Sequence, residues 1–271
     1  VSKVWFTTGS SSGFGRLWAT AALERGDRVV ATARRPETLD DLVQRHGEAV
    51  LPLALDVTDR DAVFAAVEHG VRRFGRLDVV VNNAGYGHFG MVEELGEQEL
   101  RRQLETNFFG AVWVTQAVLP VLRAQRSGHL VQVTSEGGVR AYPGIGAYHA
   151  SKWALEGLSE SLAQEVAPFG VHVTCLEPGP YATDWLSRGS RRSDPAPAYD
   201  VVRADLSPDF AVGDPAATSA AVLQLVDAAE PPRRLVLGNT LPQIEAVYAD
   251  RLRTWDAWRS VSEAAFGSGT P

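Results

Sequence analysis

A doubly wound α/β fold, with a parallel sheet of about seven strands covered by helices on both faces, is the architecture this sequence predicts. Three observations predict it. Short β-branched runs alternate with longer stretches of helical period, and a glycine-rich turn joins the first run to the first helix. No low-complexity linker or solenoid repeat divides the 271 residues. We therefore expect a single domain over residues 1–271.

The first half reads "KVWFTT" as a strand, Arg16 to Arg25 as a helix, "RVVATA" as the second strand and Glu37 to His46 as a helix. "AVLPLAL", Asp59 to Phe74 and "LDVVVNN" continue the alternation. The second half runs Glu97 to Arg123, "HLVQVTS", Tyr148 to Ala167, "VHVTCLE", Pro215 to Ala228 and "RRLVLGN". Apolar runs this short, rich in Val, suit strands buried on both sides. The intervening stretches space their apolar residues three and four apart, as one face of a helix requires. Two segments depart from the rhythm. Residues 186–213 are rich in Pro, Arg, Ser and Asp and lie between a strand and a helix, where a partly mobile substrate lid is expected. Residues 241–266 carry Ile244, Val247, Tyr248, Leu252, Trp255 and Trp258 at helical spacing, predicting a C-terminal helical extension packed on the domain or on a neighbouring subunit.

Composition narrows the partners. A net charge of −7 argues against nucleic acid or an anionic membrane, since polyanion-binding faces show a basic excess. A small soluble ligand fits better. One cysteine, Cys175, excludes an internal disulfide and sits in an apolar run, as a buried structural thiol does. The opening residues read as a strand rather than a signal peptide, and no apolar stretch reaches the roughly eighteen residues that span a bilayer. The expected location is cytoplasmic.

The turn "TTGSSSGFGR" carries the first chemistry. Gly9, Gly13 and Gly15, with Ser11, Ser12 and Phe14 between them, follow a strand and open a helix. Glycines let backbone approach backbone and ligand, and free amides at a helix N-terminus attract a pyrophosphate. A Rossmann-type dinucleotide fold then tests the ribose at the end of the second strand, by a carboxylate for NAD or a base for a 2′-phosphate. Here Ala33 is followed by Arg34 and Arg35, so no carboxylate competes and a guanidinium is at hand. Further on, Tyr148 and Lys152 stand four residues apart on one helical face. An ammonium about 4 Å from a phenol, in a partly enclosed site of effective dielectric near 20, is worth about 4 kcal/mol, enough to bring a pKa of about 10 towards 7.

With the loop, "NNAG" at 82–85 and Y-x-x-x-K at 148–152 in this order, the chain resembles the short-chain dehydrogenase/reductase family over roughly residues 3–240. "YHASKWALEGLSESLAQEVAPFGVHV" is similar to the branch with hydroxysteroid and retinol dehydrogenases. The resemblance implies an NADP-dependent oxidoreductase moving hydride between nicotinamide and a carbonyl or secondary alcohol of a small, largely apolar substrate. It implies a catalytic group of Asn107, Ser135, Tyr148 and Lys152, in which Tyr148 is the general acid/base, Lys152 also holds the nicotinamide ribose, Ser135 orients the substrate oxygen and Asn107 holds a water linking Lys152 to solvent. Asp56 and Val57 would meet the adenine, Asn83, Ala84 and Gly85 the wall near its ribose, Pro178 and Gly179 the nicotinamide, and Thr183 its carboxamide. A homodimer or homotetramer, with the Asn107 and Tyr148 helices at one interface, follows from the same likeness. Phe14 replaces the usual aliphatic residue, Ser12 stands where many NADP-using members carry a base, and Glu136 puts a charge directly after Ser135.

The expected substrate pocket comprises Tyr86, His88, Phe89, Glu136, Tyr142, Tyr181 and Trp185. His149, about 100° around the helix from Tyr148, is expected to face packing or a subunit contact. No histidine cluster has metal-ligand spacing. A transient-hydride epimerase or dehydratase, and a cofactor-sensing protein without turnover, are the alternative functions.

Overall fold

The computed structural model describes residues 2–186, 189–206 and 211–267. Seven parallel strands form the main sheet: β1 (Val4–Thr7), β2 (Arg28–Ala33), β3 (Val50–Ala54), β4 (Val79–Asn82), β6 (Gly128–Val133), β7 (Val171–Pro178) and β9 (Arg234–Leu237). Their order across the sheet is β3-β2-β1-β4-β6-β7-β9, so the chain reverses its direction of winding between β1 and β4. Such a reversal opens a crevice at the carboxyl ends of the strands, where ligands of open α/β sheets bind.

Alternate residues of each strand serve opposite faces. Val4, Phe6, Val30, Val80 and Leu130 pack with α3 (Arg60–Phe74), α5 (Gly110–Gln125) and α6 (Gly146–Val166). Trp5, Val29, Val79, Val81 and Val131 pack with α1 (Gly13–Glu24), α2 (Asp40–His46) and α8 (Thr218–Asp227). Local chemistry ends the helices where expected. Asp59 caps α3 by accepting from the Ala62 amide at 2.9 Å, and Gly75 closes it in the left-handed conformation at φ 80°.

Three features differ from the sequence reading. The stretch from Glu97 onward is two helices, α4 (Glu97–Leu104) and α5, joined by a π-helical turn, Glu105–Phe109, that carries Asn107. A second, two-stranded sheet pairs β5 (Gly87–Phe89) with β8 (Ser190–Arg192), so part of the expected lid is a strand. The rest of that segment that is described contains the turn Pro197–Tyr199 and α7 (Asp200–Ala204). Residues 187–188 and 207–210 of the expected lid lie outside the described residues.

The C-terminal extension is likewise two helices, α9 (Leu241–Ala257) and α10 (Arg259–Phe266), parted at Trp258. Only Ile244 is buried. Tyr248, Leu252, Trp255 and Trp258 are exposed, although Arg251 still reaches the Trp153 ring of α6. Among the described residues, no helix is long and apolar enough to cross a membrane.

Candidate active site

The crevice begins at the β1–α1 turn. Gly9 adopts φ 68°, a conformation side-chained residues rarely take, and a Cβ on Gly15 would lie 2.5 Å from the Gly9 carbonyl and 2.4 Å from the Asn83 amide. The two glycines therefore let the turn fold back on itself. A Cβ on Gly13 would meet nothing within 4 Å, so that side of the turn is open. Ser11 and Ser12 are exposed, and the Ser12 side chain does not cap α1, which leaves its first amides facing the crevice. Phe14 stacks on Trp18 at 5.0 Å.

The turn is held from below by β4. Asn83 donates to the carbonyls of Thr8 (2.9 Å) and Gly9 (3.1 Å), and the amides of Asn83 and Ala84 both donate to the Thr8 hydroxyl. Asn83 is thus a brace of the glycine turn as well as a wall residue. Arg34 and Arg35 are exposed at the end of β2, and neither guanidinium forms an ion pair among the described residues. Asp56 lies exposed at the rim beyond β3 and accepts from Thr58, while Val57 is buried against Gly110. An anionic dinucleotide fits these groups: an open glycine turn, free helix amides and an unpaired cation at the ribose position.

Across the crevice, α6 brings Tyr148 and Lys152 to the ends of β6 and β7. Both are buried, at 8% and 5% exposure. Burial raises the Tyr148 hydroxyl well above its ordinary pKa, against a hydrogen bond involving Ser135 that lowers it. The Lys152 ammonium lies 5.7 Å from the Tyr148 ring centroid and donates to the Val133 carbonyl at 2.8 Å. Burial lowers its pKa to about 8, opposed by the Glu156 carboxylate one turn along the helix. The expectation that the lysine charge brings the phenol towards neutrality is therefore corrected for this geometry. Desolvation outweighs it, and the ammonium is directed to a backbone carbonyl.

Ser135 ends β6. Its hydroxyl accepts from the Gly137 amide at 3.0 Å and donates to the Pro178 carbonyl at 3.4 Å. The Asn107 side chain is engaged at both of its polar atoms. Its amide oxygen accepts from the Tyr86 amide, and its nitrogen donates to the Tyr86 carbonyl (2.9 Å) and Ser151 hydroxyl (3.1 Å). Its side chain thus holds the Tyr86 loop. Gly85 keeps this junction tight, since a Cβ there would lie 3.2 Å from the Asn107 oxygen and 3.7 Å from Lys152 Nζ. Pro178 and Gly179 close the end of β7, where the Gly179 amide bonds the Leu237 carbonyl. The Thr183 hydroxyl accepts from the Trp185 amide at 3.4 Å.

The expected pocket residues divide. Trp185 meets the Tyr148 ring at 5.1 Å and Phe89 at 5.6 Å, in the room left by Gly87, where a Cβ would come within 2.4 Å of the indole. Tyr86 is half-buried under the Arg191 guanidinium. Glu136 is buried in an ion pair with Arg140, 2.8 Å away, whose guanidinium also covers Tyr142. His88 is a correction: it is buried, with Nε2 2.9 Å from the Ser193 hydroxyl, so it fastens β5 to the chain after β8 instead of lining an open pocket. Tyr181 is another, since it stands edge-on to Phe14 beside the glycine turn. His149 packs inside the chain, as one of its two expected placements has it, and grips the loop that follows Ser135 through the Gly137 carbonyl and the Tyr142 amide. No sequence periodicity signals this, because the partner is an irregular loop.

Against known proteins, the family model described as short chain dehydrogenase matches residues 3–193. The chain is 42% identical over 273 residues to the oxidoreductase BOA17 of Botryotinia fuckeliana, covering 98% of this chain and all of that protein. A solved short-chain dehydrogenase from Streptomyces avermitilis superposes with a TM-score of 0.90 at 40% identity, covering 97% of this chain and 98% of the other. A 3-ketoacyl-(acyl-carrier-protein) reductase from Brucella melitensis complexed with NADH gives 0.75 at 26% identity, covering 87% and 96%.

Proposed function

The chain belongs to the short-chain dehydrogenase/reductase family of NAD(P)-dependent oxidoreductases, and from that membership we propose that it reduces a carbonyl, or oxidises the corresponding secondary alcohol, of a small and largely apolar substrate with NADP(H). One observation carries the reading: Ser135, Tyr148 and Lys152 converge in a buried site at the strand ends, faced by Trp185. The bound nicotinamide supplies or accepts the hydride. Everything else falls to the chain.

Tyr148 gives a proton to the substrate oxygen as charge builds there, and takes it back in the reverse direction. The Ser135 hydroxyl accepts from the Gly137 amide and donates over a long 3.4 Å to the Pro178 carbonyl, a bond it exchanges for one to the same substrate oxygen. Lys152 keeps a positive charge beside the phenol and reaches the ribose of the cofactor, with Glu156 offsetting part of the cost of burying that charge. Asn107 keeps Tyr86, and with it one wall of the pocket, in place. The glycine turn takes the pyrophosphate, Asp56 and Val57 the adenine, and Arg34 the 2′-phosphate. Phe89, Trp185 and the Tyr86 and Tyr142 rings supply the apolar surface that selects the substrate.

The test is NADPH oxidation against a panel of ketones, quinones and aldehydes graded by size. Stoichiometric consumption supports the reading. Conversion of substrate without net consumption points instead to transient hydride transfer, and cofactor binding without conversion of any panel member to a sensor. We extend the proposal to a cytoplasmic homo-oligomer.

A further inference from the structure

Tyr148 and His149 are neighbours on α6, yet they face different partners. The Tyr148 ring meets Trp185, while the imidazole of His149 reaches over the loop between Ser135 and Tyr142. Its Nδ1 lies 2.8 Å from the Gly137 carbonyl, and its Nε2 lies 3.2 Å from the Tyr142 amide. A carbonyl only accepts and an amide N–H only donates, so the two partners determine the tautomer. Nδ1 carries the proton, Nε2 is bare, and the ring is neutral. The approach needs a glycine at 137, where a Cβ would stand 2.9 Å from Nδ1.

Gly137 also donates its own amide to Ser135 Oγ at 3.0 Å. One peptide segment thus joins the imidazole to the hydroxyl that faces the substrate. We propose that His149 is a positioning residue for the reaction described above: in its Nδ1–H tautomer it holds the Gly137 carbonyl and Tyr142 amide, and so fixes Ser135 relative to Tyr148. The proposal rests on the oxidoreductase reading for its kinetic consequences, but not for the tether itself.

The tether has a built-in pH response. Protonation of Nε2 turns an acceptor into a donor facing the Tyr142 amide, which breaks that bond. Four groups face the ring: Glu136, whose charge favours protonation, Arg140, whose charge opposes it, and the neutral Tyr142 and Tyr148 hydroxyls. Burial holds the ring's pKa below the ordinary histidine value. The tether is therefore intact at neutral pH and is lost as pH falls through that lowered value.

Three variants separate the two bonds. His149→Asn keeps a donor for Gly137, His149→Gln an acceptor for Tyr142, and His149→Phe neither. On a substrate turned over by the wild type, His149→Phe should lower kcat by about 10- to 100-fold, the scale of a misplaced reacting group, with the NADPH KM unchanged. His149→Asn should recover more of kcat than His149→Gln and should lack the wild type's acid limb. Unchanged kcat in His149→Phe, or equal loss in Asn and Gln, would overturn the proposal. So would an acid limb that survives in His149→Asn. If His149→Phe does not fold, the Asn and Gln comparison still decides. Two readouts are independent of turnover: nitrogen-15 NMR of the full chain should show protonated Nδ1, and amide exchange at Gly137 and Tyr142 should quicken in the variants. Absence of either overturns the tether, whereas a wild type inactive on every substrate overturns only the oxidoreductase reading.

Discussion

The two sides of the crevice are built differently. On the nucleotide side, the groups sit at the ends of β1, β2 and β4, long-range neighbours in one sheet, and the glycine turn is braced by backbone together with the Asn83 amide and the Thr8 hydroxyl. On the substrate side, three-residue strands and short turns are fastened by side chains: His88 to Ser193, Ser193 to Glu99, Arg203 to Glu94, and Tyr199 to Glu93. The first side inherits its shape from the sheet. The second has its shape tied on, and each tie is a place where one substitution acts locally.

The largest test of this contrast is at its centre. Tyr148→Phe should leave folding and cofactor affinity intact while lowering kcat at least about 100-fold, the scale of a lost general acid. A drop in cofactor affinity of similar size would show that the two sides are not separable here. Lys152 belongs to both sides, so Lys152→Ala should lower kcat and raise the cofactor KM together. In the wild type, the ammonium is lost as pH rises through about 8, and activity that depends on that charge should decline over the same interval in a kcat profile.

A nucleotide-side change comes next. A charge-assisted hydrogen bond contributes about 1.5 to 3 kcal/mol, or about 10- to 150-fold in affinity. Arg34→Ala should cost NADPH that much in kcat/KM and leave NADH unaffected, and adding Ala33→Asp should turn the preference to NADH. A wild type that prefers NADH, the cofactor of the Brucella melitensis structure, would refute the assignment. Arg203→Ala is the smallest expected effect. It removes one of the two ties between the segment after β8 and the buried Glu94 carboxylate, the Ala196 amide keeping the other, and should raise the substrate KM by up to about tenfold. The cofactor KM should stay fixed; if both rise, the tied-on side also shapes the nucleotide side.

The same contrast explains what could be read from sequence. The sheet, the glycine turn and the Tyr148–Lys152 pair were legible because each rests on a period or a short spacing within one element. The β5–β8 pairing was not, since "GHF" and "SRR" carry no apolar alternation and lie about a hundred residues apart in a chain whose other strands announce themselves by Val runs. His88 was misplaced, and the bonding partners of the packed His149 went unread, for a related reason: those partners lie in irregular chain whose path no periodicity encodes. The Lys152 contact to the Val133 carbonyl depends on how far α6 stands from β6, a packing distance rather than a pattern. In α9 the period predicted a helix correctly, but period alone does not say whether a neighbour covers the apolar face.

That uncovered face has a colloidal consequence. Trp255, Trp258, Val261 and Phe266 are each more than half exposed, and at neutral pH the net charge of −7 makes these molecules, single or assembled, repel one another. Acidification towards the isoelectric point near 5.4 removes that repulsion while leaving the indole and phenyl surface unchanged. Turbidity should therefore set in as the charge vanishes, and low salt will not prevent it.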